Sequence, residues 1–364
     1  MRWGIGLYTG QVPDGSGIGF REEYARILEQ ARFAEELGID SLWLSEHHGA
    51  DDGYLPSLLP LAAAILANTE RLVVGTAVML APFHHPLRLA EDVAVLDQLS
   101  GGRFILGLGT GWRAAESRAF GLDLSARAVT LEETVAVLRR AWAGERFSFS
   151  GRIHHVEDAI VRPAPFTAGG PPIWLGGTGP RALARAGRLG DGHFGVGVPF
   201  GAAMAAFDAA LDAVPAGRGD VFSFGQMRSG FLADDAEEAW RLAGRGMTYT
   251  LGVHAGWAAQ DAGRSTEASV VPVDEEQVRP YNILGSAADA RAALEPYATR
   301  FAGRSDCHLS FRLYHPFVPH ESVLRAIEIY GRDVASVLRS GARAHSLPAG
   351  GFAKRPRLTS IQRQ

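Results

Sequence analysis

Short apolar runs of strand length alternate with amphipathic runs of helical length along most of this 364-residue chain, and no other feature restricts the fold as strongly. Such alternation is typical of a parallel sheet wound with crossover helices. The predicted strands are residues 3–8, 41–45, 72–79, 104–108, 173–175, 193–196, 221–232 and 308–314. The predicted helices are residues 20–36, 58–67, 86–99, 129–143, 180–189 and 323–338. About eight such units suit a closed parallel barrel, so the pattern predicts an α/β fold, a (β/α)8 TIM barrel with insertions.

Two segments interrupt the alternation. Residues 146–156 have the pattern of a hairpin, and residues 255–281 are polar with no apolar period. Long irregular insertions in a compact domain are usually functional lids or disordered. We therefore expect a single barrel domain over residues 1–340 with a mobile loop at 255–281. The tail, residues 341–364, lacks core-forming residues and is expected to be flexible.

Composition excludes several classes of protein. The 36 Lys and Arg nearly balance 40 Asp and Glu, giving a net charge of −4, and no basic stripe suits nucleic acid. Cys307 is the only cysteine, which excludes an internal disulfide and a thiolate metal cage. The amino terminus lacks a signal-peptide apolar run, and no membrane span is indicated. These features predict a cytoplasmic protein without nucleic-acid or membrane partners.

The second predicted strand ends in one acid and two imidazoles, Glu46, His47 and His48. Catalytic groups of a (β/α)8 barrel lie at the carboxyl ends of its strands. Histidine suits proton transfer near neutral pH. These three residues are therefore candidate catalytic residues. The alternative is a histidine pair that only hydrogen-bonds the nearby backbone.

A glycine-rich turn, Gly176-Gly177-Thr178-Gly179, follows the fifth predicted strand and leads into a helix that begins near Pro180. Free N–H groups and the positive end of the helix dipole favour phosphate there, and the Thr178 hydroxyl adds a donor. The turn is thus a candidate phosphate site. The alternative is an ordinary tight turn between strand and helix.

Small residues also end the third and fourth predicted strands. The spacing of Gly107, Gly109 and Gly111 is not that of a dinucleotide-binding fold, but it permits close approach of a flat ligand or simply a tight strand exit. His84 and His85 are adjacent and diverge on extended backbone, so no metal site is expected. The chain also lacks the nucleophile elbow of α/β hydrolases and the phosphate loop of nucleotidases.

Several motifs occur together in an order that resembles the bacterial luciferase family of flavin-dependent monooxygenases and related deazaflavin enzymes. They are Trp43-Leu44-Ser45-Glu46-His47-His48, the run from Gly75-Thr76-Ala77 through His85-Pro86-Leu87-Arg88-Leu89-Ala90-Glu91-Asp92-Val93, and Leu96-Asp97-Gln98-Leu99-Ser100-Gly101-Gly102-Arg103-Phe104. The resemblance spans residues 1 to about 200 and continues weakly through Leu284-Gly285-Ser286 and the last helix. It implies a (β/α)8 barrel that binds reduced FMN at the carboxyl ends of its strands and oxygenates an organic small molecule through a C4a-(hydro)peroxyflavin.

The resemblance also assigns residues. His47 matches the family's catalytic histidine, and Glu46 and His48 would support it. A non-proline cis peptide beneath the flavin ring maps onto Ala77-Val78. The flavin and its phosphate would contact, besides these two residues, Gly109, Thr110, Arg127, Gly176, Gly177, Thr178 and Gly179. Luciferase has a reactive cysteine and a phosphate-binding arginine where this chain has Gly109 and Thr110, so light emission does not follow.

Two alternatives remain. One is a coenzyme F420-dependent oxidoreductase that transfers hydride on the same fold, although such enzymes tend to have an Asp-His pair where this chain has Glu46-His47-His48. The other is a flavin-binding protein without turnover. The partners implied by the resemblance are an organic substrate, O2, a separate flavin reductase and a second copy of the chain, paired through helices near the early strands. Phe231, Trp257 and residues 255–281 are expected to shape the substrate pocket, but no motif identifies the substrate.

Overall fold

The computed structural model of the protein describes residues 1–264 and 270–344. The strands are β1 Arg2–Tyr8, β2 Ser41–Leu44, β3 Val73–Thr76, β4 Met79–Leu80, β5 Phe104–Gly109, β6 Phe147–Ser150, β7 His155–Ala159, β8 Ile173–Gly176, β9 Gly192–Val196, β10 Ser223–Leu232, β11 Ile283–Gly285 and β12 His308–Arg312. The helices are α1 Phe20–Glu36, α2 Leu58–Ala67, α3 Pro86–Ser100, α4 Ala114–Ala119, α5 Arg127–Ala141, α6 Pro180–Leu189, α7 Phe200–Leu211, α8 Ala236–Asp261, α9 Glu275–Val278, α10 Ala287–Arg300, α11 His320–Ile329 and α12 Ser336–Ala344.

Eight parallel strands close into a barrel in the order β1, β2, β3, β5, β8, β9, β10 and β12, and β12 pairs with β1. Each is one of the predicted strands, so the predicted barrel is confirmed. The short strand β4 continues β3 after an interruption and pairs with β5, while β11 pairs with β10 outside the closed ring. The predicted hairpin is also confirmed, as the antiparallel pair β6 and β7.

Five helices and one strand were not predicted from the sequence pattern: α4, α7, α8, α9, α10 and β11. The longest of them, α8, contains Gly244, Gly246, Gly252 and Gly256, and interior glycines weaken a helical pattern. Tertiary packing explains one of them, because a Cβ on Gly246 would lie 2.1 Å from the carbonyl oxygen of Pro316. The start of α8 has a local signal, since the Asp235 side chain accepts a hydrogen bond from the Glu238 N–H (2.8 Å).

The expectation of an irregular segment over residues 255–281 is wrong for its first part, because residues 255–261 are the last turns of α8. The helix α9 and a 3₁₀ turn at Arg279–Tyr281 occupy its end. Residues 265–269, within the expected loop, and residues 345–364, within the expected tail, lie outside the described residues. The mobility of the loop and the flexibility of the tail stay predictions.

The barrel interior is filled by side chains contributed by seven of its strands. Leu7, Trp43, Val73, Ala77, Ile105, Trp174, Phe194 and Met227 form one buried cluster. The rings of Trp43 and Trp174 stack at 5.3 Å, and Gly75 and Gly225 leave space for them. This cluster, called the aromatic plug below, fills the barrel interior beneath the carboxyl ends of the strands. A ligand site is therefore confined to the mouth that those ends form. Across residues 1–264 and 270–344, no helix combines the length and the apolar character needed to span a membrane.

Candidate functional site

Glu46 is a buried acid just beyond β2 that joins two loops at the barrel mouth. One carboxylate oxygen accepts the Leu80 N–H at 2.6 Å, and the other lies 3.0 Å from Nε2 of His48 and 3.1 Å from Nε2 of His84. Burial favours a higher pKa for Glu46, but the hydrogen bonds from His48, His84 and Leu80 outweigh it and lower that pKa. An ionised Glu46 therefore fixes the loop after β2 against the loop after β3.

His47 is held by an acid 69 residues away in the chain. Nδ1 of His47 lies 2.8 Å from Oε1 of Glu116, which also accepts the His48 N–H at 2.9 Å. The guanidinium of Arg113 donates to the His48 carbonyl at 2.8 Å and lies 3.8 Å from Glu116. A carboxylate accepts, so Nδ1 carries the proton in neutral His47 and Nε2 is its basic nitrogen. Within the described part of the chain, that Nε2 has no hydrogen-bond partner.

Aromatic side chains surround the His47 ring. The distances from its centroid are 4.7 Å to Trp257, 4.8 Å to Tyr54, 5.7 Å to His254 and 6.2 Å to Trp112. Trp257 and His254 both come from α8. Burial, and after it the nearby His47, lower the pKa of His254 to about 4, so that ring is neutral at pH 7. The surroundings of His47, called the His47 chamber below, are thus largely aromatic and suit contact with an organic molecule.

Asp52 connects the loop after β2 to α8 and to the end of β1. Its carboxylate accepts hydrogen bonds from Nε2 of Gln11 (2.6 Å), the hydroxyl of Tyr249 (2.7 Å) and the backbone N–H of Tyr54 (3.1 Å). The Tyr54 hydroxyl in turn donates to Ser45 at 3.0 Å. Burial and the hydrogen bond to Asp52 raise the pKa of Tyr249. These bonds fix Tyr54 beside His47.

The predicted cis peptide between Ala77 and Val78 is confirmed. It interrupts the predicted third strand and separates β3 from β4. A Cβ on Gly109 would lie 2.5 Å from Val78, and one on Gly176 would lie 2.9 Å from it. The ends of β5 and β8 therefore carry glycine because Val78 occupies that space. A second non-proline cis peptide, between Gly6 and Leu7, was not predicted.

The predicted phosphate turn lies exposed at the amino terminus of the ten-residue helix α6. The carbonyl of Gly177 is 2.9 Å from Nε2 of His193. Arg127 begins α5, and no hydrogen bond joins it to Gly177, Thr178 or Gly179 in the part of the chain that is described. Thr110, just after β5, donates to the adjacent Gly111 carbonyl at 3.3 Å.

Comparison with known proteins agrees with this architecture. The family model described as "Luciferase-like monooxygenase" matches residues 1–302. The chain belongs to the luciferase-like monooxygenase family. The predicted family is thus confirmed.

Curated relatives of this luciferase-like chain include F420-dependent dehydrogenases and alkanal monooxygenases. It is 36% identical to an F420-dependent glucose-6-phosphate dehydrogenase of Microbacterium testaceum over 174 residues, 46% of this chain and 51% of that protein. It is 33% identical to the alkanal monooxygenase alpha chain of Photorhabdus luminescens over 175 residues, 48% of each. The chain therefore spans about half the length of the curated relatives it matches.

A monooxygenase from Streptomyces bottropensis has the same fold as this luciferase-like barrel. Its crystal structure superposes with a TM-score of 0.75 at 24% identity, covering 93% of this chain and 99% of that one.

In this member of the luciferase-like family, tertiary structure adds residues that no sequence motif indicated. Glu116, Arg113, Tyr54, His254 and Asp52 reach His47 or its neighbours from three separate segments. A polar residue in a helix or loop carries no local signal of such a role. Trp257 lies beside His47, and its expected role in shaping a substrate pocket stays a prediction, whereas Phe231 is fully buried in the main core.

Residues 1–264 and 270–344 contain no cluster of three or more His, Cys, Asp or Glu that could hold a metal ion. His84 turns toward Glu46, whereas the ring of His85 lies 6.0 Å from that of His154. The adjacent pair therefore diverges.

Proposed function

We propose that this chain is a flavin-dependent monooxygenase that uses reduced FMN and O2 to oxygenate an organic small molecule. The observation that carries the proposal is His47, fixed by Glu116 at the mouth of the barrel and enclosed by aromatic side chains. Bound reduced FMN would supply the activation of oxygen, and the protein would supply binding, orientation and exclusion of water.

The residues at the strand ends fit a flavin. Ala77 and Val78 form a surface at the end of β3, and the Val78 side chain fills the space beside Gly109 and Gly176. Thr110 follows Gly109 in the chain, and a planar ring would lie against this surface of mostly small residues. These five residues would hold the ring.

The exposed turn Gly177-Thr178-Gly179 fits the flavin phosphate. It precedes α6, where N–H groups and the helix dipole favour an anion, and Arg181 lies in the first turn. Arg127 begins the neighbouring helix, and α5 and α6 are joined by an ion pair of Glu132 with Arg185 at 2.9 Å. The positive charge of Arg127 would attract the flavin phosphate over a longer distance.

His47 would act as the proton acceptor or donor through Nε2, because Nδ1 is committed to Glu116. Glu46 and His48 would support it by holding the loop after β2 in place. The depressed pKa of Glu46 keeps it ionised at neutral pH, so its hydrogen bonds to His48 and His84 persist there.

The test binds reduced FMN to the protein without oxygen, then mixes the complex with ¹⁸O2 in the presence of a panel of aldehydes, ketones and aromatic compounds. We expect ¹⁸O in a product, and we expect His47→Ala to abolish most of it with unchanged FMN affinity. His155→Ala, on the exposed hairpin, is the matched control. A His47→Ala variant with full activity would contradict the catalytic assignment, and FMN binding without turnover would indicate a binding protein.

The second candidate is an F420-dependent oxidoreductase. Its support is the 36% identity to an F420-dependent glucose-6-phosphate dehydrogenase over 46% of this chain. A parallel titration with F420 separates the two. Tight F420 binding, hydride transfer to substrate and no uptake of ¹⁸O would overturn the FMN proposal.

A monooxygenase of this type needs reduced flavin, so we propose a separate flavin reductase as partner and a cytoplasmic location. We also propose a homodimer through α2 and α3. On α3, Leu99 is 74% exposed and Val95 is 44% exposed, an unusual state for large apolar side chains on neighbouring turns. Size exclusion with light scattering should give a mass about twice the 38.9 kDa of one chain. The Leu99→Glu variant should give the mass of a single chain.

A further inference from the structure

Arg312 points into the mouth of the barrel. It is the last residue of β12, whose side chains alternate between two faces. Leu309 and Phe311 belong to the outer core, whereas the ring of His308 packs inside against Trp43 at 5.6 Å. Two and four residues further, Ser310 and Arg312 face the same interior side. Arg312 lies at the carboxyl end, above the aromatic plug.

The guanidinium of Arg312 is buried, and none of the described carboxylates forms an ion pair with it. The residue is 7% exposed, and the one hydrogen bond from its side chain to a described residue runs from Nε to the Tyr314 carbonyl at 3.2 Å. Its Nη2 atom is buried with no partner, and no described carboxylate lies within ion-pair distance of it. A guanidinium keeps its charge even when burial lowers its pKa, as it does here. Such a charge is costly unless something negative pairs with it.

Arg312 lies near two residues that surround His47. Burial, the largest influence, raises the pKa of Tyr54 and lowers that of His254, and the positive charge of Arg312 lowers both. Those two rings lie 4.8 and 5.7 Å from the ring of His47. Together with the position of Arg312 on the interior face at the carboxyl end of β12, this puts the guanidinium on the side of the barrel mouth where these rings lie.

We propose that Arg312 binds a negatively charged group of the substrate, a carboxylate or an ionised enol or phenol oxygen. The class of substrate is then an organic anion with an apolar body that fits among Tyr54, His254 and Trp257. A planar fork of donors is well suited to a carboxylate. This proposal rests on the proposed function, because it takes the His47 chamber as the site of reaction.

A bound flavin is a second source of negative charge. Its phosphate is assigned to the turn after β8, and β8 is separated from β12 by β9 and β10 in the barrel. The ring of a reduced flavin can also be anionic, so the experiment must distinguish substrate from flavin.

The probes are acetate, benzoate and 2-naphthoate, each compared with its neutral amide by titration calorimetry at fixed ionic strength. We expect the wild-type protein to bind at least one carboxylate tenfold or more tightly than its amide. Arg312→Gln should remove that preference while amide and FMN affinities change less than twofold. Arg312→Lys should keep part of it, and Arg71→Gln, at an exposed arginine, should keep all of it.

The proposal is overturned if no carboxylate is preferred by the wild-type protein, or if Arg312→Gln retains the preference. Loss of FMN affinity in Arg312→Gln with the carboxylate preference intact would assign the guanidinium to the flavin instead. We expect the thermal midpoint of Arg312→Gln to equal or exceed that of wild type, since an unpaired buried charge is removed. If Arg312→Gln fails to fold, the wild-type and Arg312→Lys titrations test the proposal. A carboxylate preference in the wild-type protein that is partly kept in Arg312→Lys supports it. Calorimetry requires no turnover, so failure of the proposed oxygenation would leave this result readable by itself.

Discussion

Oε1 of Glu116 lies 2.8 Å from Nδ1 of His47, and both side chains are buried. The bond joins the end of β2 to helix α4, so the direction of the imidazole depends on a distant segment. Because Nδ1 is bound to Glu116, Nε2 is the nitrogen of His47 that can exchange a proton with a ligand in the chamber. We infer that Glu116 is a positioning residue for His47.

Glu116→Gln should lower kcat about tenfold to a hundredfold, because positioned proton transfer contributes roughly 10²–10⁴ and part of it is lost when the imidazole is misdirected. KM and FMN affinity should change little. Steady-state kinetics and an FMN titration check this, with Glu157→Gln on the exposed strand β7 as control. An unchanged kcat would remove Glu116 from the site.

Gly109→Ala should destabilise the fold by about 1–3 kcal/mol and weaken FMN binding, because its Cβ would lie 2.5 Å from Val78. Adding Val78→Ala should restore part of the loss, giving a non-additive double-mutant cycle. Urea unfolding provides the measurement. Gly201→Ala is the control, since nothing lies within 4 Å of its Cβ. Strict additivity would show that Val78 is not the obstacle.

Asp52→Ala should lower the free energy of unfolding by about 3 kcal/mol, because three donors lose a charged acceptor in a buried site. Tyr249→Phe removes one of them and should cost about 1.5 kcal/mol. Tyr281→Phe, at a 60% exposed tyrosine, should be neutral. Hydrogen exchange should show faster opening of α8 in Asp52→Ala. Equal exchange in both proteins would mean that Asp52 does not hold α8.

Acid should destabilise the protein through buried neutral histidines. Burial, the first cause in each case, lowers the pKa of His254 to about 4 and those of His308 and His315 to about 3. Unfolded histidine titrates near pH 6.5, so between pH 6.5 and about 3 the unfolded state binds more protons and stability falls with falling pH. Each histidine contributes up to about 1.4 kcal/mol per pH unit.

Urea unfolding at pH 7, 6 and 5 measures that slope. The His308→Asn variant should take up about one proton fewer on unfolding, so its free energy of unfolding should depend less steeply on pH. The His155→Ala variant, at an exposed histidine, should change that slope much less. Equal slopes for His308→Asn and wild type would show that His308 is not a neutral buried group in the folded state.

The barrel and the positions of its eight strands could be predicted because burial produces a local apolar pattern in the sequence. A strand packed on both faces is apolar along its length, and a helix on its outside is apolar on one side. The glycines of α8 interrupt its apolar pattern, and this helix was therefore not predicted. A side chain at position 246 would collide with the carbonyl oxygen of Pro316, 70 positions later in the chain. The reason for glycine there cannot be found among its neighbours in the sequence.

The sequence by itself determined the eight strands of the barrel, the position of Glu46-His47-His48 at a strand end, and the small residues beside Ala77-Val78. All of these depend on neighbours in the chain. Only the tertiary structure decided that Glu116 directs His47, that α8 encloses it, and that none of the described carboxylates pairs with the buried Arg312. Closing the barrel brings together segments far apart in the chain, and whether a buried charge is paired there depends on the side chains that meet.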